Sequence, residues 1–284
     1  MLCLGIETSC DDTSLAFVED NEILGVETLS QNDMHALFGG VVPELASRGH
    51  ARAIGFLYDR LLERTGIGAD DIDLVCPARG PGLLGSLLVG VAFAKAFALG
   101  RKIRFLGVNH LHAHVFASAL TNNVPLPALA LLVSGGHTIL YRVEGPDKFV
   151  VLGKTSDDAA GEAFDKAGKM LGLPYPAGRH IDLLANTGTA AVKLFPRPCT
   201  GKSNLNFSFS GLKTAMWIYA SKHPDRRASF EAQSGKTLLP EKEMEDELMN
   251  HLLTKHACTF EDFCFWSFIH LYVNDPSVQI LLGN

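Results

Sequence analysis

Apolar and polar positions along this chain follow two different periods. Residues 2–8 (LCLGIET) form a short apolar run that ends in the polar turn SCDD, and 14–19 (SLAFVE) and 23–30 (ILGVETLS) follow as apolar or alternating runs separated by a turn. Three strands joined by tight turns predict a β-meander. Over 44–66 the period changes: Ala53, Leu57, Leu61 and Leu62 recur on one face of a helix. A strand at 72–78, a sharp turn at Gly80-Pro81-Gly82, a helix over 83–99, a strand at 103–108 and a helix from His110 onward complete the order βββαβαβα. The pattern then restarts. Runs at 129–136, 137–144 and 149–156 read as three strands, and 157–173 as a helix with Thr155 and Asp158 at capping-box spacing. The repetition predicts two related α/β domains with a cleft between them.

Composition narrows the class. With 284 residues, 47% hydrophobic and 20% charged, the chain has ample core material for one large domain or two ordinary ones. A net charge of −6 gives no global basic signature for nucleic acid, although a local patch would suffice to bind it. Arg101, Lys102 and Arg104 form one small basic cluster, read as a solvated face. The six cysteines contain no C-x-x-C pair, which argues against a disulfide framework or a zinc knuckle and fits reduced thiols in the cytoplasm. The N-terminus has no basic n-region and meets Glu7 too soon for a signal peptide. The apolar stretch LLGSLLVGVAFAKAFALG carries Lys95 and many small residues, and reads as a buried helix rather than a membrane span.

Chemistry concentrates at a few motifs. NHLHAH (109–114) places three histidines in five residues. On a helix His110 and His114 share a face and could grip one ion, while His112 points away; on a strand all three would line one face. Without the glutamate of H-E-x-x-H, the spacing alone slightly favours an ordinary helix surface that carries histidines. The turns SCDD and SGGH each follow a buried strand, and successive backbone N–H groups in such turns can cradle phosphate oxygens, with glycine allowing close approach. A plain hairpin turn also uses small polar residues. Their paired occurrence favours nucleotide binding.

The stretches GIETSCDDT (5–13), GGVVPELASRGHAR (39–52), GPGLLGSLLVG (80–90), NHLHAH, LLVSGGHT (131–138), DDAAGEAFDKAGKMLGLPYPAG (157–178) and FSFSGLKTA (207–215) together resemble the TsaD family of tRNA N6-adenosine threonylcarbamoyltransferases, once labelled O-sialoglycoprotein endopeptidases. The resemblance runs from about residue 1 to about residue 230. It implies an actin/Hsp70/sugar-kinase-like duplicated fold, with a first domain over 1–125, an incomplete second domain over 126–230 and a divergent tail over 231–284. It also implies transfer of a threonylcarbamoyl group from threonylcarbamoyl-AMP to N6 of adenosine 37 in tRNAs reading codons that begin with A, giving t6A. By the same resemblance, His110 and His114 hold a divalent metal, Fe(2+) or Zn(2+), and His112 does not. Leu132, Val133, Ser134, Gly135 and Gly136 form the phosphate and substrate loop, and Asp165, Gly178 and Asp182 contact the ribose and adenine side. Asp11 orients the reacting groups or contacts metal-bound water, unless it is only an Asx turn. TsaB-like and TsaE-like proteins are the implied partners, the cytoplasm the implied location, and no membrane is involved.

Several residues keep a second reading. Ser47 and Arg48 lie in a loop near the cleft or are merely solvated. Glu162 and Asp165 are functional or a surface acidic pair. Phe207 and Phe209 alternate with Ser208 and Ser210 as in an amphipathic strand, and Lys213 meets phosphate or faces solvent.

The tail departs from the family. The Gly-Gly-Val-x-x-Asn motif, whose Asn binds nucleotide, and the Cys-Thr-Asp-Asn segment, whose Asp is the third metal ligand, are both missing from 231–284. An acidic helical piece around 240–256 and an aromatic run with Cys258, Cys264, Phe265 and Trp266 stand there instead. SGKT (234–237) lacks the upstream glycine spacing of a P-loop. Frameshift or gene decay and a lineage-specific replacement both account for such a tail, and the first is the expectation here. Impaired t6A formation follows, with a non-catalytic TsaB-like partner as the alternative. A metalloprotease is disfavoured by the absence of H-E-x-x-H, and a sugar kinase by the longer motifs of the tRNA family.

Overall fold

The computed structural model describes residues 1–20, 22–118, 124–185, 195–199, 204–222 and 280–282. The expectations about the tail's acidic helix, its aromatic run and its cysteines lie outside these residues. The chain divides into two compact units, Met1–Asn123 and Val124–Asn284.

In the first unit the expected meander forms from β1 (Leu2–Glu7), β2 (Asp12–Glu19) and β3 (Glu22–Ser30), followed by β4 (Leu74–Gly80), β5 (Arg104–Phe105) and β6 (Val108–Asn109). The sheet order is β3-β2-β1-β4-β5, with β6 also on β4. β1, β2 and β3 pair antiparallel, whereas β4 joins β1 in parallel with Cys3 opposite Leu74 and Gly5 opposite Cys76. An antiparallel meander extended by parallel strands fits the expected α/β class. The single strand expected at 103–108 is instead two short ones, β5 beside Leu74–Val75 and β6 beside Ala78 and Gly80, where the register of β4 shifts.

Two helices cover one face of this sheet, α2 (Pro43–Thr65) and α3 (Leu84–Arg101). Alternation decides which face. Leu2, Leu4 and Ile6 of β1 and Leu15 and Phe17 of β2 are buried with Ala53, Ile54, Leu57 and Leu61 of α2 and Ala94 of α3. Helix α2 starts with Pro43 in its first turn, where proline loses no hydrogen bond, and stops at Gly66 in the left-handed region at φ 69°. A five-residue helix, α1 (Asn32–Ala36), which periodicity did not indicate, links β3 to α2. Helix α3 is less buried than expected. Leu84, Leu88 and Leu99 are 85%, 65% and 82% exposed, because α3 lies on the sheet along one side only. Among the described residues it is the one helix long and apolar enough to cross a membrane.

The second unit opens with the same arrangement: β7 (Ala128–Val133), β8 (Thr138–Gly145) and β9 (Lys148–Lys154) form an antiparallel meander, and β10 (Ile280–Leu282) pairs with β7 in parallel, giving the order β10-β7-β8-β9. Among the described residues, α5 (Ala160–Leu171), α6 (Gly178–Ala185) and α7 (Ser210–Lys222) follow the meander. In the first unit, α4 (His110–Ala117) follows β6.

Two local expectations fail for one reason. The Thr155–Asp158 capping box does not form. Helix α5 begins later, with Ala159 as its N-cap, and the Thr155 hydroxyl donates to the Asp158 carbonyl at 2.6 Å. FSFSGLK is not a strand either: Phe207 makes one isolated bridge to Thr155, and α7 starts at Ser210. In both places Asp157 and Asp158 are engaged elsewhere. The Asp157 carboxylate accepts the Phe209 N–H at 2.7 Å and the Ser208 hydroxyl at 2.5 Å, which caps the start of α7 from a distant segment. Asp158 pairs with Lys166 and Lys213, each at 2.7 Å. Burial would raise both carboxyls, but these partners hold them below the ordinary aspartate value. Lys213 is therefore a clamp on Asp158.

Gly82 lies against the first turn so closely that a Cβ there would stand 2.6 Å from the Ser9 carbonyl oxygen. Backbone on both sides leaves little room to give. Gly82→Ala is expected to lower the stability of the chain by about 1–3 kcal/mol, the usual cost of overpacking. Urea unfolding reads this as a lower midpoint, and an unchanged midpoint would contradict the packing described.

Candidate functional site

The first unit builds its site where β1 ends. Thr8, Ser9, Cys10 and Asp11 form the turn, and each is held by a different part of the chain. The Thr8 hydroxyl donates to the Ser86 carbonyl at 2.9 Å. The Ser9 carbonyl accepts the Leu83 N–H at 2.7 Å, just after the Gly-Pro-Gly turn. The Cys10 carbonyl lies 3.0 Å from Nε2 of His50 on α2, and the Asp11 carbonyl accepts the Gln31 N–H at 3.0 Å. His50 is fully buried, and its Nδ1 lies 2.7 Å from the Thr13 hydroxyl. Since a carbonyl only accepts, Nε2 carries the proton and Nδ1 accepts from Thr13. His50 is thus a bracket under the turn. Asp11 itself stands half-buried beside the Cys10 thiol, which packing around the sulfur and the neighbouring Asp11 push up to about 12.

Helix α4 supplies the histidines. Its N-cap Asn109 accepts the N–H groups of Leu111 and His112 at 2.9 and 3.2 Å. That cap fixes the first turn of α4, so residues four apart share a face. Nε2 of His110 and Nε2 of His114 are 3.2 Å apart. Burial, with the positive charge of Arg79, lowers the pKa of His112.

Sequence reasoning missed Glu7. Its Oε2 lies 2.8 Å from Nδ1 of His110, and its Oε1 accepts the Ser9 N–H at 2.5 Å. Burial would raise the Glu7 carboxyl, but the bonds from His110 and Ser9 hold it below its usual value. An ionised carboxylate only accepts, so Nδ1 of His110 carries the proton, and in the neutral ring Nε2 is left to offer its lone pair toward His114. A carboxylate behind a histidine is the usual support for a metal-binding imidazole. The spacing also fits. Two nitrogens at bonds of about 2.0–2.1 Å on a tetrahedral ion stand about 3.3 Å apart. Among the described residues no group of three or more His, Cys, Asp or Glu converges on such a point. The donor set among the described residues is therefore two imidazoles.

The second unit presents a different surface. The Ser134 N–H donates to the His137 carbonyl at 2.8 Å, and the His137 N–H to the Ser134 hydroxyl at 3.1 Å, closing the SGGH turn on itself. Gly135 and Gly136 are exposed, with nothing within 4 Å of where a Cβ would stand. Gly161 of α5 packs against the turn, and a Cβ on it would lie 2.8 Å from the Gly135 Cα. The first N–H groups of α5 are already used, that of Ala160 by the Thr138 hydroxyl and that of Gly161 by the Ser134 carbonyl. The open donors of this turn are therefore those of Gly135 and Gly136. Leu132 is 4% exposed, and half-buried Val133 packs on the cluster of Leu131 and Leu140, which anchors the strand that carries the turn.

One helical turn after Gly161, Asp165 accepts the Ala177 N–H at 2.8 Å. It thereby holds the loop that leads into α6, at whose first residue stands Gly178, with exposed Asp182 one turn further on. Asp165, Gly178 and Asp182 are thus joined through one loop and one helix. Glu162 pairs with Lys166 at 2.7 Å and accepts the Ala159 N–H at 3.4 Å, as a helix-start carboxylate does. Ser47 donates to the Pro43 carbonyl and Arg48 pairs with Glu44, so both serve α2.

Removing the carboxylate behind His110 should weaken any ion held by the two imidazoles. Glu7→Ala is expected to reduce Zn(2+) affinity by about 10–100-fold, as loss of such a support does. Isothermal titration against the unaltered chain measures it, and equal affinity would rule Glu7 out of the site.

Comparison with known proteins adds a family. The family model described as tRNA N6-adenosine threonylcarbamoyltransferase, TsaD, matches residues 22–262, further along the chain than the motifs above reach. A protein of that name from Nitratidesulfovibrio vulgaris (strain Hildenborough) is 60% identical over 225 residues, covering 79% of this chain and 62% of the relative. One from Desulfovibrio desulfuricans is 61% identical over 223 residues, covering 78% and 62%. The chain thus spans about 62% of the length of these relatives. Among solved structures, YeaZ from Pseudomonas aeruginosa overlaps 56% of this chain and 66% of its own at 16% identity and a TM-score of 0.36. By the extent of the family match and the identity of its relatives, this chain belongs to the TsaD family of tRNA N6-adenosine threonylcarbamoyltransferases.

Proposed function

We propose that this chain carries the substrate-positioning residues of a t6A-forming transferase and that, with its present tail, it makes little t6A. The observation that carries the first half is the convergence of His110 and His114 in front of Glu7, together with membership of the family. The reaction joins N6 of adenosine 37 of a tRNA to the carbamoyl carbon of threonylcarbamoyl-AMP, and AMP leaves. An exocyclic adenine amine is a weak nucleophile because its lone pair is delocalised into the ring. The protein's task is then to hold the two reactants together and to stabilise charge on the carbamoyl oxygen and the departing phosphate.

Each residue has a part in this reading. The N–H groups of Gly135 and Gly136, with Leu132, Val133 and Ser134 as the strand that carries them, receive the phosphate of the adenylate. Gly178 lets the nucleoside approach the backbone, Asp182 accepts a ribose hydroxyl, and Asp165 keeps the loop between them in place. Asp11 orients the reacting groups from the first turn. His110 and His114 would hold one divalent ion, Fe(2+) or Zn(2+), which when bound supplies an electrophile. The polypeptide partners of this reading are TsaB-like and TsaE-like proteins, and its place is the cytoplasm, where tRNA is.

The second half rests on the tail. Residues 231–284 contain neither the Gly-Gly-Val-x-x-Asn nor the Cys-Thr-Asp-Asn pattern of the family, so a nucleotide contact and a third metal ligand are missing. Glu261 and Asp262 have no spacing that would replace them. A non-catalytic, TsaB-like partner role is the second reading, favoured by the lack of a three-residue metal set among the described residues.

Both halves meet in one assay. The chain is combined with TsaB-like and TsaE-like proteins, threonylcarbamoyl-AMP and unmodified tRNA, and t6A is read by mass spectrometry beside a full-length relative. The expected yield is lower by at least about 10–100-fold, the cost of losing even an indirect support of a metal ligand. Turnover equal to that of the relative would show that the tail replaces the missing groups. No t6A, combined with stimulation of the relative by added chain, would favour the partner role.

A further inference from the structure

Two thiols outside the site stand together on the sheet of the first unit. Along β1 the buried residues Leu2, Leu4 and Ile6 face α2 and α3, so Cys3 and Gly5 face the other way. In β4 buried Val75 joins the same core, and Cys76 faces away with them. The parallel register puts Cys3 opposite Leu74 and Cys76 opposite Gly5. The two cysteines are therefore diagonal neighbours on one face of adjacent strands, both half-buried. Neither belongs to the turn, the histidine pair or the SGGH loop.

Distance decides what such a pair can do. Diagonal positions on neighbouring strands are about 8 Å apart at Cα. A disulfide needs a Cα separation below about 7 Å, so oxidation to a bridge would have to pull the strands out of register. A two-coordinate ion is less demanding. With a metal–sulfur bond of about 2.3 Å, two sulfurs on a linear ion stand about 4.6 Å apart, a span open to side chains about 8 Å apart at Cα once the Cys3 thiol rotates off the Met1 carbonyl, which it meets at 3.8 Å. Ions that require four ligands are disfavoured, because no third His, Cys, Asp or Glu joins the pair among the described residues. Thiolates select soft ions.

We propose that Cys3 and Cys76 form a two-coordinate dithiolate site for a soft monovalent cation of the Cu(I) type, on the sheet face turned away from α2 and α3. Burial raises Cys3, and burial with the neighbouring Cys3 pushes Cys76 up to about 11. Both are thus protonated thiols in neutral solution and poor nucleophiles. Binding forms two sulfur–metal bonds and releases two protons, with no change of oxidation state.

The full chain is titrated with Cu(I) against a chromogenic Cu(I) chelator. X-ray absorption then reads the ligand set, which separates this site from the imidazoles of His110 and His114. The expected result is one Cu(I) with two sulfur ligands, lost from Cys3→Ser and from Cys76→Ser by at least about 100-fold in affinity and retained in Cys10→Ser and Cys199→Ser. Should the serine variants fail to fold, alkylation of the unaltered chain gives the same answer, with Cu(I) shielding Cys3 and Cys76 together from N-ethylmaleimide. The proposal is overturned if the ion carries nitrogen ligands only, if the Cys3 and Cys76 variants bind as the unaltered chain does, if shielding falls on other cysteines, or if mild oxidation joins Cys3 to Cys76.

Discussion

The bond between Glu7 and His110 is the joint on which the first unit's chemistry depends. Glu7 is the last residue of β1, and His110 the first of α4. The carboxylate binds the ring at one oxygen and the Ser9 N–H at the other, so a single side chain fixes the histidine and the turn beside it. Several other features serve to keep those two ends in place. Ser86, Leu83, His50 and Gln31 hold four successive residues of the turn, and Asn109 holds the first turn of α4. The glycine at position 82 is required because a side chain there would displace Ser9. Precise placement of one side chain beside a turn needs this kind of redundant support.

The second unit reaches a comparable end by other means. Its turn closes on its own serine, leaving glycine N–H groups open on an exposed surface. Asp157 and Asp158 then bring in residues 52 and 55 positions further on, docking the start of α7 against α5. Similar strand orders therefore carry different polar networks. The first network fixes imidazoles, and the second exposes backbone donors and a pair of aspartates on α5 and α6.

Element types were legible from period alone. The apolar alternation of β1 and β2, the helical repeat of Ala53, Leu57 and Leu61, and the i, i+4 relation of His110 and His114 are all local, and all appear in the structure. What was not legible depends on partners distant in sequence. Glu7 looks like the polar end of an apolar strand until His110 arrives 103 residues later. FSFSGLK alternates as a strand should, yet Asp157 captures the Phe209 N–H and starts a helix one residue on. Helix α3 looked buried because its sequence is apolar throughout, whereas only one side of it meets the sheet. The motif that named the family pointed to Asp165 as a ligand contact, and its bond to Ala177 adds a role in holding the loop.

Glu7 dictates which nitrogen of His110 is available. Long-range proton–nitrogen correlation NMR of the chain with labelled histidine reads the tautomer of each neutral ring directly. His110 is expected to carry its proton on Nδ1 and leave Nε2 bare, and Glu7→Gln to shift this pattern. A neutral His110 protonated on Nε2 in the unaltered chain would contradict it, because the nitrogen facing His114 would then be a donor unable to take a metal ion.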